Sequence, residues 1–426
     1  MREKTARALM RTKDVRRSAF LWNLVSACLN SFQTMVLLFV LTHRGNSTDS
    51  GMLVMAYAAG NLMLNIGKFG MRQYQVTDAG EVFSYREYVR SRFCSLALMA
   101  AAMVLYLIWG AAGKGYTAEK LWVVGLLCAF KGIEAAEDVL HGRMQQQGRL
   151  DVAGKILTIR FAVFMGGFIA CYLATKDLVA TIAVNAGISL ALCILLNGAV
   201  MPRFRGAEDE AARKKGFEIP WKLLLQCLPL CLSMVMNIYL GNAPKYVIDG
   251  IVSDEAQTCF NIVFMPALVV ALLSSFIFNP VLKKIGTLWV EGKIPELKKL
   301  ALKLTLVPAG IDAAVVAAGL LAGLPVLGFI YGVDVSGYRS ELVIALLASG
   351  VMALLNLYVA LLTTMRKQPH ILGAYTAGTA VLVIFGRGVL RAQGLTALCW
   401  MYLAVMGAVV AYCVVIAWRT IRTQRD

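Results

Sequence analysis

Apolar runs recur along this chain near 18–41, 51–71, 93–111, 120–140, 154–174, 178–201, 221–243, 255–279, 299–321, 341–363, 371–386 and 396–417. A hydrocarbon core about 30 Å thick takes roughly 20 residues of helix, so runs of this size are crossing segments. Backbone amides in lipid need partners within the segment, which predicts helices. The short alternating stretches of a membrane barrel are missing from the pattern. The eleventh run is the shortest, and its exit at Gly386–Arg387–Gly388 is ambiguous. The expected fold is an all-α polytopic membrane protein with twelve transmembrane helices.

Polar gaps between the runs alternate between many cations and few. Arg2, Lys4, Arg7, Arg11, Lys13, Arg16 and Arg17 precede the first run, and later basic gaps hold Arg72, Arg86, Arg90 and Arg92, then Arg143, Arg149 and Lys155, and then Arg203, Arg205, Arg213, Lys214 and Lys215. Lys283, Lys284, Lys293, Lys298, Arg366 and Lys367 continue the series, and Arg419, Arg422 and Arg425 close it. The opposite gaps hold few, such as Arg44, Lys114 and Lys176. The positive-inside rule then places both termini in the cytoplasm. The net charge of +17 reads as topology and as contact with anionic membrane lipids, with no nucleic-acid partner expected, because no basic folded domain stands outside the runs.

The charged stretch GAEDEAARKKG lies within 202–220 and splits the sequence into two six-helix lobes, 1–201 and 221–426, an arrangement common in transporters built from repeats. All ten prolines lie at or after Pro202, with Pro229, Pro266 and Pro308 inside predicted runs, which predicts kinks in the second lobe. Glu81–Phe93 and Glu291–Leu304 have the spacing of amphipathic segments lying on the membrane surface. Ten cysteines sit in or beside apolar runs, without CxxC spacing or a nearby histidine, and read as small buried hydrophobes. Neither disulfides nor a metal site is expected. A basic start leads into a full-length run without a small-residue cleavage site, so the first helix is expected to stay as an anchor.

Ionisable groups inside a bilayer are costly enough to need a partner or a wet cavity, so they are the pointers to function. The second run aligns Tyr57, Asn61, Asn65, Lys68 and Arg72 on one helical face. This is either a cavity wall that attracts an anion or amide packing with two cations reaching for the interface. The fourth run places Lys131, Glu134, Asp138 and His141 together with Glu137 beside them. Lys131–Glu134 is either a self-neutralising pair or, with Asp138, an ion-coupling site. Arg160 in the fifth run is positioned to face that cluster or a phosphate. In the seventh run Asn237, Lys245 and Asp249 share a face, and Lys245 either pairs with Asp249 or contacts substrate. No nucleophile with its base, phosphate loop, HExxH or dinucleotide fingerprint is present, so neither an enzyme nor a cofactor is expected.

Three stretches carry a resemblance: FGMRQYQVTD (Phe69–Asp78), KGIEAAEDVLHGRMQQQGRLDVAGK (Lys131–Lys155) and Asn242–Pro280. They resemble Wzx-type polysaccharide flippases of the multidrug/oligosaccharidyl-lipid/polysaccharide exporter superfamily. The resemblance implies two MATE-like lobes with helices one, two, seven and eight around a cavity, in a bacterial plasma membrane. The substrate it implies is a lipid-linked glycan carried on a polyprenyl pyrophosphate, and the protein partners are a polysaccharide polymerase and glycosyltransferases. Carried onto this chain, Asn61, Asn65, Lys68, Arg72, Arg160, Asn237 and Lys245 are the substrate-binding candidates, and Lys131, Glu134 and Asp138 the ion-coupling ones.

Other readings compete with it. A cation-coupled multidrug exporter of the same fold would use Glu134 and Asp138. A membrane-embedded glycosyl or lipid transferase would need acidic groups at a boundary, for which Glu137, Asp138, Asp78 and Glu81 are available. A major-facilitator carrier would have a shorter Gly/Asp/Arg-rich turn after the second run than GMRQYQVTDAGEVFSYREYVRSR.

Overall fold

A computed structural model of the chain describes residues 2–77, 83–204, 219–267, 270, 285, 288–289, 291–365 and 367–423. Asp78, Glu81, the linker stretch 205–218, Arg366 and most of the eighth run beyond 267 lie outside the described residues. Among the described residues the chain is nearly all helix, with no strand. Its first part contains α1 (Arg2–Met10), α2 (Val15–Arg44), α3 (Ser47–Lys68), α4 (Met71–Thr77), α5 (Tyr85–Lys114), α6 (Ala118–Gln146), α7 (Leu150–Thr175) and α8 (Leu178–Val200). It continues as α9 (Trp221–Ile248), α10 over 254–267, α11 (Ile294–Ala318), α12 (Leu324–Tyr331), α13 (Arg339–Thr364) and α14 (Gln368–Thr423).

Every predicted run falls on a helix, the last two on α14 together and the eighth as far as 267. Among the described residues, 8 helical stretches are long and apolar enough to cross a membrane. α3 and α6 are not among them, and these two carry most of the polar side chains of the candidate site. Helix starts are marked by side-chain caps: Asp14, Asn46, Thr117 and Asp177 each accept from a backbone N–H in the first turn.

Two compact units divide the chain, Met1–Val235 and Met236–Asp426. In the first, α3, α6 and α7 supply a core of Leu53, Tyr57, Leu127, Phe130, Phe164 and Phe168, with Phe130 and Phe164 stacked at 4.0 Å. In the second, α13 and α14 contribute Leu357, Leu361, Leu382, Tyr402 and Met406 to a separate core.

Several local expectations are corrected. Glu81–Phe93 is not a separate surface segment in its described part. A capping box at Ser84, closed by Glu87, starts α5 there, and Tyr88, Ser91 and Arg92 are buried as its first turns. Glu291–Leu304 likewise runs into α11, with Pro295 in its first turn and Ile294, Leu297, Ala301 and Leu304 buried at helical spacing. Among the described residues, second-half helices are interrupted at glycines, by a π turn at Gly319–Gly323 and a break at Gly394 (φ 84°, ψ −173°), while Pro229, Pro266 and Pro308 lie within helical stretches. α14 therefore runs straight through Gly386–Arg387–Gly388 and turns only at Gly394. The basic N-terminal arm folds as α1, which buries Ala6 and Leu9 against Leu196, Ala199 and Phe204.

Candidate functional site

The site grows from the close approach of α3 and α6. A Cβ on Gly67 would stand 2.6 Å from Met99 Sδ and 2.8 Å from Ala135 Cβ, and one on Gly60 would stand 3.2 Å from Lys131 Cγ. Small residues at these two positions let the backbones pack and let the Lys131 stem lie across α3. α3 ends where Phe69 takes a left-handed conformation (φ 53°) and Gly70 follows at φ 68°. The reversal is tight against α9, because a Cβ on Gly70 would meet Leu230 Cβ at 2.7 Å. It delivers Lys68 and Arg72, on either side of the turn, to the same stretch of α6.

Two carboxylates one turn apart on α6 receive them. Glu134 accepts from Lys68 Nζ at 2.9 Å and from Lys131 Nζ at 3.2 Å. Asp138 accepts from Arg72 at 3.4 Å and from Arg92 at 3.0 Å. In each triad one cation is sealed and the other reaches open space: the side chains of Lys131 and Arg92 are 2% and 3% exposed, those of Lys68 and Arg72 30% and 26%. Each triad thus sets two cations against one carboxylate among the described residues.

Further bonds fix the arrangement. Arg92 also donates to Gly67 O, which Ser95 Oγ shares at 2.7 Å. Arg72 donates from Nε and Nη2 to Gln145 Oε1 at 3.1 and 2.9 Å, which sets the plane of its guanidinium. Lys68 and Arg72 line a pocket of about 500 Å³ together with Asn65, Asp138, Gln145 and Met234.

Arg160 is placed elsewhere. It is fully buried, forms an ion pair with Glu137 and donates to Ser189 Oγ at 3.0 Å, while Asn197 Nδ2 donates to the second Glu137 oxygen at 3.3 Å. It therefore faces the acidic cluster rather than the pocket. Asn61 and Asn65 are half-buried, and Asn65 Nδ2 donates to Asn61 O at 2.8 Å within α3.

In the second unit Asn237 and Lys245 are half-buried on α9, and Asn237 Oδ1 has no hydrogen-bond partner among the described residues. The Lys245–Asp249 pair expected from their spacing does not form: among the described residues no carboxylate lies within ion-pair distance of Lys245 Nζ.

Sequence reading missed Arg92, assigned there to a surface gap, and Asp312, which is 9% exposed and accepts from Ser349 Oγ at 3.3 Å. Arg92 has no local signal because its partner is 46 residues away. Asp312 does have one, as a lone carboxylate in the middle of an apolar run.

No family profile and no curated protein matches the sequence. Solved structures do match. A multidrug-resistance MATE-family transporter of the MOP superfamily, in its inward-facing conformation, is similar at a TM-score of 0.66 and 14% identity over 95% of this chain and 99% of that one. A Vibrio cholerae MATE transporter gives 0.65 and 11% over 99% and 98%. A MOP-superfamily transporter from Pyrococcus furiosus, described as having a binding pocket of reverse polarity that suggests a different function, gives 0.60 and 14% over 99% of each chain. The fold of this chain is MATE-like.

Proposed function

We propose that this chain is a membrane transporter that flips a lipid-linked oligosaccharide, a glycan on a polyprenyl diphosphate, from the inner to the outer leaflet of a bacterial plasma membrane by alternating access. The observation that carries the reading is the pair of triads on α6. Among the described residues Lys68, Arg72, Arg92 and Lys131 pair with Glu134 and Asp138, so these four cations exceed their two carboxylates by two positive charges, and the less buried cation of each triad opens into the pocket. A diphosphate matches that excess in sign and magnitude, and a guanidinium held in one plane suits its oxygens. Charged phosphates and sugars do not cross hydrocarbon unaided. Fixed cations in a polar pocket lower that barrier, and the lipid tail stays in the bilayer.

In this reading Lys68 and Arg72 contact phosphate and Asn61 and Asn65 continue the polar wall of the same unit, while Asn237 and Lys245 stay substrate-contact candidates on α9. Lys131, Glu134 and Asp138 hold the outer cations in place. Protonating either carboxylate would leave two cations unbalanced, so ion coupling through them is the less favourable role. Arg160 acts by positioning α7 and α8 against α6 through Glu137.

The second reading, a cation-coupled multidrug exporter, is supported by the multidrug transporter among the structural neighbours. An organic cation would meet like charge in this pocket, whereas the Pyrococcus furiosus neighbour is described with reversed pocket polarity. Depleting the protein in cells separates the two. The flippase account expects lipid-linked glycan to accumulate on the inner leaflet and surface polymer to be lost. Normal delivery of precursor to the outer leaflet, with a gain in drug sensitivity, would establish the exporter instead.

A further inference from the structure

The elbow between α1 and α2 is a second charged pocket, sharing no residue with the first. Its backbone is fixed rather than loose. Arg149 Nη2 donates to Met10 O at 2.8 Å, Lys155 Nζ to Leu9 O at 2.9 Å and to Thr12 Oγ1 at 2.8 Å, and Thr12 Oγ1 to Asp151 Oδ2 at 2.8 Å. These bonds tie the elbow to the start of α7, and the burial of Ala6 and Leu9 ties α1 to α8. The open groove beside the elbow has a volume of about 710 Å³.

Arg11, Lys13, Arg17 and Lys155 line it with the carboxylate of Asp14, and Lys155 is already paired with Asp151 at 3.9 Å. Asp14 is already committed as the cap of α2, accepting from Arg17 N at 3.1 Å. With Lys155 set against Asp151, the other three cations face Asp14 alone among the described lining residues and leave an excess of two positive charges. The other side of the same space is apolar and open: Leu21, Trp22 and Ile159 are 46%, 37% and 36% exposed. All three belong to helices long and apolar enough to cross a membrane. Charge therefore sits beside exposed apolar side chains, and these include a tryptophan, a residue type enriched at membrane interfaces.

We propose that this elbow binds an anionic phospholipid, with its phosphate among Arg11, Lys13 and Arg17 and an acyl chain along Leu21, Trp22 and Ile159. A soluble anion would use the cations and leave the apolar floor wet. A zwitterionic lipid would cover the floor and leave the charge excess unbalanced. A lipid with a net negative headgroup satisfies both tiers. The proposal does not depend on what the protein transports.

Retention of lipid by the purified full chain, read by native mass spectrometry after exchange into mixed phosphatidylglycerol and phosphatidylcholine, tests it. Each basic residue beside an anionic lipid favours binding several-fold, so the parent is expected to retain phosphatidylglycerol at least about ten-fold over phosphatidylcholine. R11Q/K13Q/R17Q should bring the ratio near parity, and R419Q/R422Q, which removes exposed cations at the end of α14, should leave it unchanged. Trp22→Ala with Ile159→Asn should weaken retention while the three cations stay in place. Equal loss in the R419Q/R422Q control would mean a diffuse basic field and overturn the proposal. So would displacement of the lipid by inorganic phosphate, or undiminished preference in the triple variant. All these positions are exposed or half-buried, and an unchanged unfolding temperature confirms that each variant is folded.

Discussion

A carboxylate shared by two cations divides the labour between them, and at the residue scale that division makes opposite predictions for neighbouring side chains. Removing the carboxylate strands a sealed ammonium. Glu134→Gln leaves Lys131 buried without a counter-charge, which costs about 3–5 kcal/mol, read as a fall in unfolding temperature of the purified protein. A variant as stable as the parent would show that Lys131 has another partner. Removing an outer cation leaves a balanced pair behind. Lys68→Ala and Arg72→Ala should change stability by less than about 1 kcal/mol and reduce binding of a diphosphate lipid by ten-fold or more. A large stability loss with unchanged binding would make both cations structural. The sequence made Lys131–Glu134 legible because both lie on one helix three residues apart. It left Lys68–Glu134 and Arg92–Asp138 open, because those pairs form only when α3, α5 and α6 pack, and periodicity along one helix contains no information about which neighbour it meets.

At the scale of elements, glycines decide where helices approach and where they stop. Gly67→Leu would drive its side chain into Met99 and Ala135, pushing α3 from α6 at a cost of about 1–3 kcal/mol and loosening both triads. Thermal stability and diphosphate binding should fall together, and loss of neither would mean that α3 and α6 have room to spare. Gly394→Ala places a Cβ on a backbone that is favourable for glycine alone, at about 1–3 kcal/mol. The same change at Gly388, which has open space around it and no positive φ, should be tolerated. This contrast explains the misplaced exit of the eleventh run. Gly386 and Gly388 look like a stop in sequence, yet Gly386 is a packing position against Val247 and Leu398, and only backbone angles single out Gly394. The start of α5 was legible in principle, since Ser84 and Glu87 form a capping box, but the basic, amphipathic look of the stretch drew it to the membrane surface.

For the whole molecule, hydropathy locates the long helices, because lipid allows a long apolar run few other structures, and leaves out the short α1, α4 and α12. It cannot separate a flippase from a drug exporter, which share that requirement. In this account what distinguishes them is the sign of the pocket into which Lys68 and Arg72 open, beside triads in which, among the described residues, four cations from α3, α4, α5 and α6 pair with Glu134 and Asp138. The central claim is tested most directly with the protein reconstituted in vesicles carrying a polyprenyl-diphosphate oligosaccharide, by measuring how fast the headgroup becomes accessible to an impermeant hydrolase on the opposite face. The account predicts translocation that depends on the protein, slows at least about ten-fold in K68E/R72E, and is insensitive to organic cations. Equal rates for parent and K68E/R72E, or competition by organic cations, would contradict it.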